Sequence, residues 1–123
     1  MRIQMKLSRD AMLAIQEIKN LEFSDPNITI TNGYVVGVAY NRIKNKQVDW
    51  NKVATSNIPG VSNNPSSDIK SVKTTLNLEQ NILDGIKEIQ NSFFSIFNLK
   101  RVHKAYVVKM ILFAAILDYN NLL

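Results

Sequence analysis

The run Arg2-Ile3-Gln4-Met5-Lys6-Leu7 decides the fold. In an extended chain Ile3, Met5 and Leu7 share one face, and Arg2, Gln4 and Lys6 share the other. Strict alternation of this kind marks a half-buried β-strand. Ser8 follows, and its short hydroxyl side chain suits a helix N-cap. Ala11, Met12, Ile15, Ile18 and Leu21 then fall at helical spacing. Asp25-Pro26-Asn27 predicts the turn that ends this helix. A second helix is expected to open near Thr31-Asn32 and to carry Val35, Val36, Ala39, Tyr40 and Ile43. The order is strand, helix, helix.

A single strand leaves its backbone edge unpaired, so a partner is required. The chain supplies one by repetition. Residues 1–28 match residues 72–99 with a shift of 71, through pairs such as Leu7/Leu78, Ile15/Ile86, Glu17/Glu88, Ile18/Ile89 and Asn20/Asn91. After one inserted residue the shift becomes 72, and Tyr34-Val35-Val36 matches Tyr106-Val107-Val108. In the second copy Val72, Thr74, Leu76 and Leu78 share a face, opposite Lys73, Thr75 and Asn77. Asn77 and Gln80 have the spacing of a capping box. Ile82, Leu83, Ile86, Ile89 and Phe93 continue as a helix that stops near Asn98. The last helix opens near His103-Lys104 and runs to about Asp118, apolar on nearly every side. Such a helix is normally covered all round, here by the linker or by a second copy of the chain.

These signals predict a mainly α protein with a short two-stranded ribbon: two tandem strand-helix-helix units forming an intramolecular pseudo-dimer. Unit 1 spans residues 1–46 and unit 2 spans 71–123. Residues 47–70 form a polar linker, with one extra turn over Asp49–Thr55 in which Trp50, Val53 and Ala54 pack down. If Gln4 stands opposite Thr75, then Arg2 faces Asn77 and Lys6 faces Lys73.

Composition narrows the function. The 123 residues include no cysteine and one histidine, His103. Thiolate metal sites, disulfides and thiol nucleophiles are excluded, and a catalytic triad or histidine metal cluster would depend on His103 alone. No Gly-rich phosphate loop is present, and Gly33 and Gly37 are read as close-packing positions. Glu17 and Glu88 are expected to face solvent. No catalytic, metal or cofactor site is assigned. The start alternates where a signal peptide would be apolar, and the longest apolar run, Ala105–Leu117, is too short to span a bilayer. A cytoplasmic protein without a membrane partner is expected. The net charge of +5 is mild and evenly spread; it permits nucleic-acid binding without requiring it.

The strand Arg2–Leu7, the cap Ser8 and the run Thr31-Asn32-Gly33-Tyr34-Val35-Val36 resemble the ribbon-helix-helix superfamily, the Arc and MetJ type of repressor. The resemblance covers both halves and omits the linker. It implies that the ribbon enters the major groove of double-stranded DNA. The outward residues Arg2, Gln4, Lys6, Lys73, Thr75 and Asn77 would then read bases. It also implies that the openings of the second helices, at Thr31 and Asn32 and at His103 and Lys104, contact phosphates. The side-chain types suit this work: Arg and Lys donate to guanine O6/N7, and Gln and Asn pair with adenine. His103 is equally readable as a plain surface residue, and Asn77 is claimed both as reader and as cap. A transcriptional repressor is the leading expectation. The tandem arrangement is also similar to TraY-like accessory proteins of conjugative plasmids, which would add a relaxase as partner. A protein-binding module that has lost DNA is the alternative of another class.

Overall fold

Both alternating runs form strands in the computed structural model, which describes residues 1–123. β1 (Arg2–Leu7) and β2 (Val72–Asn77) pair antiparallel and make up the whole sheet. Gln4 stands opposite Thr75, Arg2 opposite Asn77 and Lys6 opposite Lys73. Leu7 and Leu76 are fully buried beneath the ribbon, with Ile3, Met5 and Thr74 half-buried beside them. Val72 keeps the inner face, opposite Leu7, but is exposed at the open start of β2.

Five helices lie below: α1 (Arg9–Phe23), α2 (Asn32–Ile43), α3 (Trp50–Thr55), α4 (Gln80–Ile96) and α5 (Lys104–Tyr119). The first three are capped by side chains. Ser8 Oγ accepts from the Ala11 N–H at 3.2 Å, Thr31 Oγ1 from Tyr34 at 3.1 Å, and Asp49 Oδ1 from Lys52 at 3.1 Å. Each such cap contributes about 1 kcal/mol. The capping box predicted from Asn77 and Gln80 does not form. Asn77 is held in β2, and the Leu78 N–H still bonds the Met1 carbonyl, so the chain cannot turn helical before Glu79. Glu79 occupies the cap position with no side-chain bond, and Gln80 instead donates to Asp84.

α1 buries Ala11, Leu13, Ala14, Ile15 and Ile18, whereas Met12 is half-buried and Leu21 is exposed. The buried face is thus centred closer to Ala14 than the spacing suggested. α5 lies in the middle of the molecule, packed against α1, α2, α3, α4 and β1. Val107, Val108, Met110, Ile111, Leu112 and the run Ala114–Leu117 are all buried. Its all-round apolar character is satisfied within the chain.

The predicted linker is a packed arm. Trp50 and Val53 are buried, with Trp50 edge-on to Phe93 at 5.2 Å between ring centres. Ala54 points outward, contrary to expectation, because one short turn buries only one side. Ile58 and Val61 are also buried, and the Arg9 guanidinium donates to the carbonyls of Asn64 (2.8 Å) and Ser66 (2.5 Å). Gly60 adopts φ +79 and lies against Glu17, where a side chain would collide. Glu17 is therefore half-covered, not free in solvent, while Glu88 is exposed as predicted.

Away from the ribbon, the ends of α1, α2 and α5 are clamped together. Asp118 accepts from Arg42 Nε at 2.7 Å and Lys46 Nζ at 2.6 Å. Burial alone would push its carboxyl up, but Lys46 and Arg42 hold it below the usual carboxylate range. The Arg42 guanidinium also lies 3.6 Å from the Tyr119 ring centre. The Tyr119 hydroxyl donates to Glu22, and burial together with this bond raises the phenol to about 12. A depressed carboxyl pKa gives stability that is present at neutral pH and disappears as pH falls through the folded-state value. Asp118→Asn is expected to destabilise the protein at pH 7 by up to about 1 kcal/mol, since Arg42 and Lys46 are partly exposed. In strong acid the variant and the wild type should converge. Urea melts at the two pH values check this; a pH-independent difference would exclude an electrostatic role.

Candidate nucleic-acid interface

The polar face of the ribbon is the most distinctive surface of the molecule. The pleat turns alternate residues to opposite sides, so burying Ile3, Met5 and Leu7 obliges Arg2, Gln4 and Lys6 to point outward. All six residues singled out in the sequence, Arg2, Gln4, Lys6, Lys73, Thr75 and Asn77, are exposed on this face. Gln4, Lys6, Lys73 and Thr75 border a shallow depression of about 280 Å³. No carboxylate stands among the six. Lys6 and Lys73 face each other directly, at a spacing where like charges repel.

Helices α2 and α5 begin on opposite sides of the ribbon. α2 opens against β2, where Asn32 Nδ2 donates to Thr74 Oγ1 at 3.3 Å. Gly33 permits this approach: a Cβ there would stand 2.8 Å from the Asn77 carbonyl oxygen and 2.9 Å from its nitrogen. α5 opens against β1, and its first residues line a cleft of about 690 Å³ with Gln4 and Lys6. Of the four predicted phosphate contacts, Thr31 spends its hydroxyl as a cap and Asn32 spends its amide on Thr74. On that flank the backbone N–H groups and the α2 dipole, with the hydroxyl hydrogen of Thr31 and the second amide hydrogen of Asn32, remain to meet an anion. His103 is exposed at the cap position of α5 without a side-chain cap bond, and Lys104 is half-buried beside it.

Two residues beside the ribbon escaped the sequence reading. Lys109 reaches the same cleft as Lys104, its ammonium 5.1 Å from the Tyr106 ring centre. In the sequence it reads only as a break in an apolar run. Glu79 borders the opposite, β2–α2 cleft. Its alignment with Ser8 under the shift of 71 was the signal that could have marked it. No group of three or more His, Cys, Asp or Glu side chains could hold a metal, and no helix is long and apolar enough to cross a membrane. No protein-family model matches the chain, and comparisons with curated proteins and with solved structures found no match.

Two outcomes follow from this geometry. Gly33→Ala should destabilise by about 1–3 kcal/mol, because its methyl meets strand backbone that cannot move aside. Gly37→Ala meets only the Ile82 Cδ1 methyl at 3.4 Å, and should be neutral or gain up to about 1 kcal/mol of helix propensity. Equal denaturation midpoints for the two variants would contradict the close approach. Separately, Lys73→Thr should stabilise the free protein by about 0.2–1 kcal/mol by removing the Lys6–Lys73 repulsion. Thermal melts should show this gain at low salt and its loss at high salt.

Proposed function

We propose that this chain is a sequence-specific double-stranded DNA-binding protein of the ribbon-helix-helix type. It inserts the β1–β2 ribbon into the major groove and acts as a transcriptional repressor. The single observation that carries the reading is the exposed, carboxylate-free ribbon whose centre is Gln4 opposite Thr75. These two residues are each other's equivalents under the shift of 71. A strand pair related by a two-fold axis must place one residue opposite its own equivalent, so the register supports an intramolecular pseudo-dimer. The major groove, about 12 Å wide, admits a two-stranded ribbon. The six side chains have the donors and acceptors that base edges require, and a helix opens on each side, where the backbones of the duplex would lie.

Because the two strands differ, the preferred DNA site is asymmetric. The Lys6/Lys73 end favours guanine edges, which relieve the repulsion between two ammonium groups. The Arg2/Asn77 end accepts guanine beside adenine. A second reading, a protein-binding module, draws on one feature. Phe94, Ile96 and Leu99 are 39%, 36% and 40% exposed around the α4–α5 turn. Titration with duplex DNA separates the two readings, since DNA binding weakens steeply with salt.

Selection from random duplexes should return a non-palindromic consensus. Against that site Gln4→Ala is expected to cost about 1–3 kcal/mol, with little change on random DNA and little change in stability. Alanine at Arg2, Gln4 and Lys6 together should cost more than alanine at Lys73, Thr75 and Asn77. A perfect palindrome with equal penalties for the two triple variants would instead require a second chain to supply a symmetric partner.

A further inference from the structure

We infer that the protein grips the DNA backbone on one flank of the ribbon only, through the β1–α5 cleft, and that Glu79 disfavours backbone contact on the other. The inference rests on the DNA-binding reading above and adds a polarity to it. The two flanks are built from equivalent positions. Lys6, Ser8, Lys104 and Lys109 border the β1–α5 side. Their equivalents are Asn77, Glu79, Asn32 and Gly37, and Asn77, Glu79 and Gly37 border the β2–α2 cleft. Three ammonium groups with no carboxylate on one side thus correspond to one carboxylate with no lysine or arginine at the equivalent positions on the other, where the N-terminal ammonium is held by the Leu78 carbonyl at 2.9 Å and Asn77 Oδ1 at 3.5 Å. The clefts differ in size as well, about 690 Å³ against about 210 Å³.

None of the three lysines is spent within the molecule. The ion pairs of the protein are Arg9–Asp10, Arg42–Asp118 and Lys46–Asp118. Lys109 is half-buried, with its ammonium near the Tyr106 and Phe113 rings at 5.1 and 5.8 Å from their centres. Aromatic faces orient a cation without neutralising it. A phosphodiester entering this cleft would meet cations already held in place. On the other flank, Glu79 continues the outward row Lys73, Thr75, Asn77 by alternation and makes no capping bond. A backbone phosphate there would face a carboxylate, with Gly37 and Asn32 offering no cation against it and the N-terminal ammonium already bonded to the Leu78 carbonyl.

The test uses the full chain and a labelled random-sequence duplex, because phosphate contacts do not depend on sequence. Affinity is measured by anisotropy over a series of salt concentrations. The double variant Lys104→Gln, Lys109→Gln should reduce the slope of log K against log salt by about 2. Lys104→Gln alone should reduce it by about 1, and serves if the double variant melts early. On the other flank Asn41→Ala, at an exposed residue of the β2–α2 cleft, should leave the slope unchanged. Glu79→Ser should raise affinity about two- to fivefold, as expected for removing one exposed like charge. If the wild type binds duplex with a salt-dependent affinity but the lysine variants keep its slope, the one-sided grip is wrong. The same holds if Glu79→Ser weakens binding. If the wild type binds no duplex at any salt concentration, the DNA reading fails first and takes this inference with it.

Discussion

The pairing of β1 with β2 governs everything else in this molecule. A six-residue strand presents a row of N–H and C=O groups that water or another strand must satisfy, and its only strand partner is some seventy residues away. An isolated two-stranded ribbon is marginal at best, so this one holds only because its inner face is sealed. Leu7 and Leu76 are that seal, and each lies at or near the point where its strand hands over to a helix. The two helices that follow the strands therefore start under the ribbon and lead away from it. The next two must return to cover its sides, α2 beside β2 and α5 beside β1. The outer face has nothing to pack on, and its polarity is the consequence.

The same constraint explains what could be read from the sequence. Alternation is unambiguous in Arg2–Leu7 because every second residue is apolar. Ser8 and Thr31 mark helix starts because their hydroxyls satisfy N–H groups that have no partner inside the helix. The register was legible because Gln4 and Thr75, which match under the shift of 71, stand opposite each other. Features that depend on distant packing were hidden. Ile58 and Val61 sit among polar residues with no period, and only the three-dimensional arm shows that both are buried. Leu13 joins the core on the side of α1 that faces the arm, where it borders a small cleft with Gly60 and Asn64. The false capping box arose because Asn77 has the right chemistry for a cap but belongs to a strand that continues through it.

The helices that flank the two strands differ in place, and α5 shows why. α2 has twelve residues; α5 has sixteen and takes the centre of the molecule. A helix enclosed on so many sides can keep a charge only where it emerges or where a partner meets it. α5 carries three charged residues: Lys104, Lys109 and Asp118. Asp118, near the far end, is met by Arg42 and Lys46. Lys104 and Lys109 lie on the turns that emerge beside β1, and no carboxylate meets either. The fold thus neutralises the charge that points into its own base and leaves open the two that point along the ribbon. Central burial of α5 also fixes where those ammonium groups stand, since its backbone is gripped by four helices and a strand. The asymmetry of charge across the ribbon follows from the asymmetry of packing beneath it.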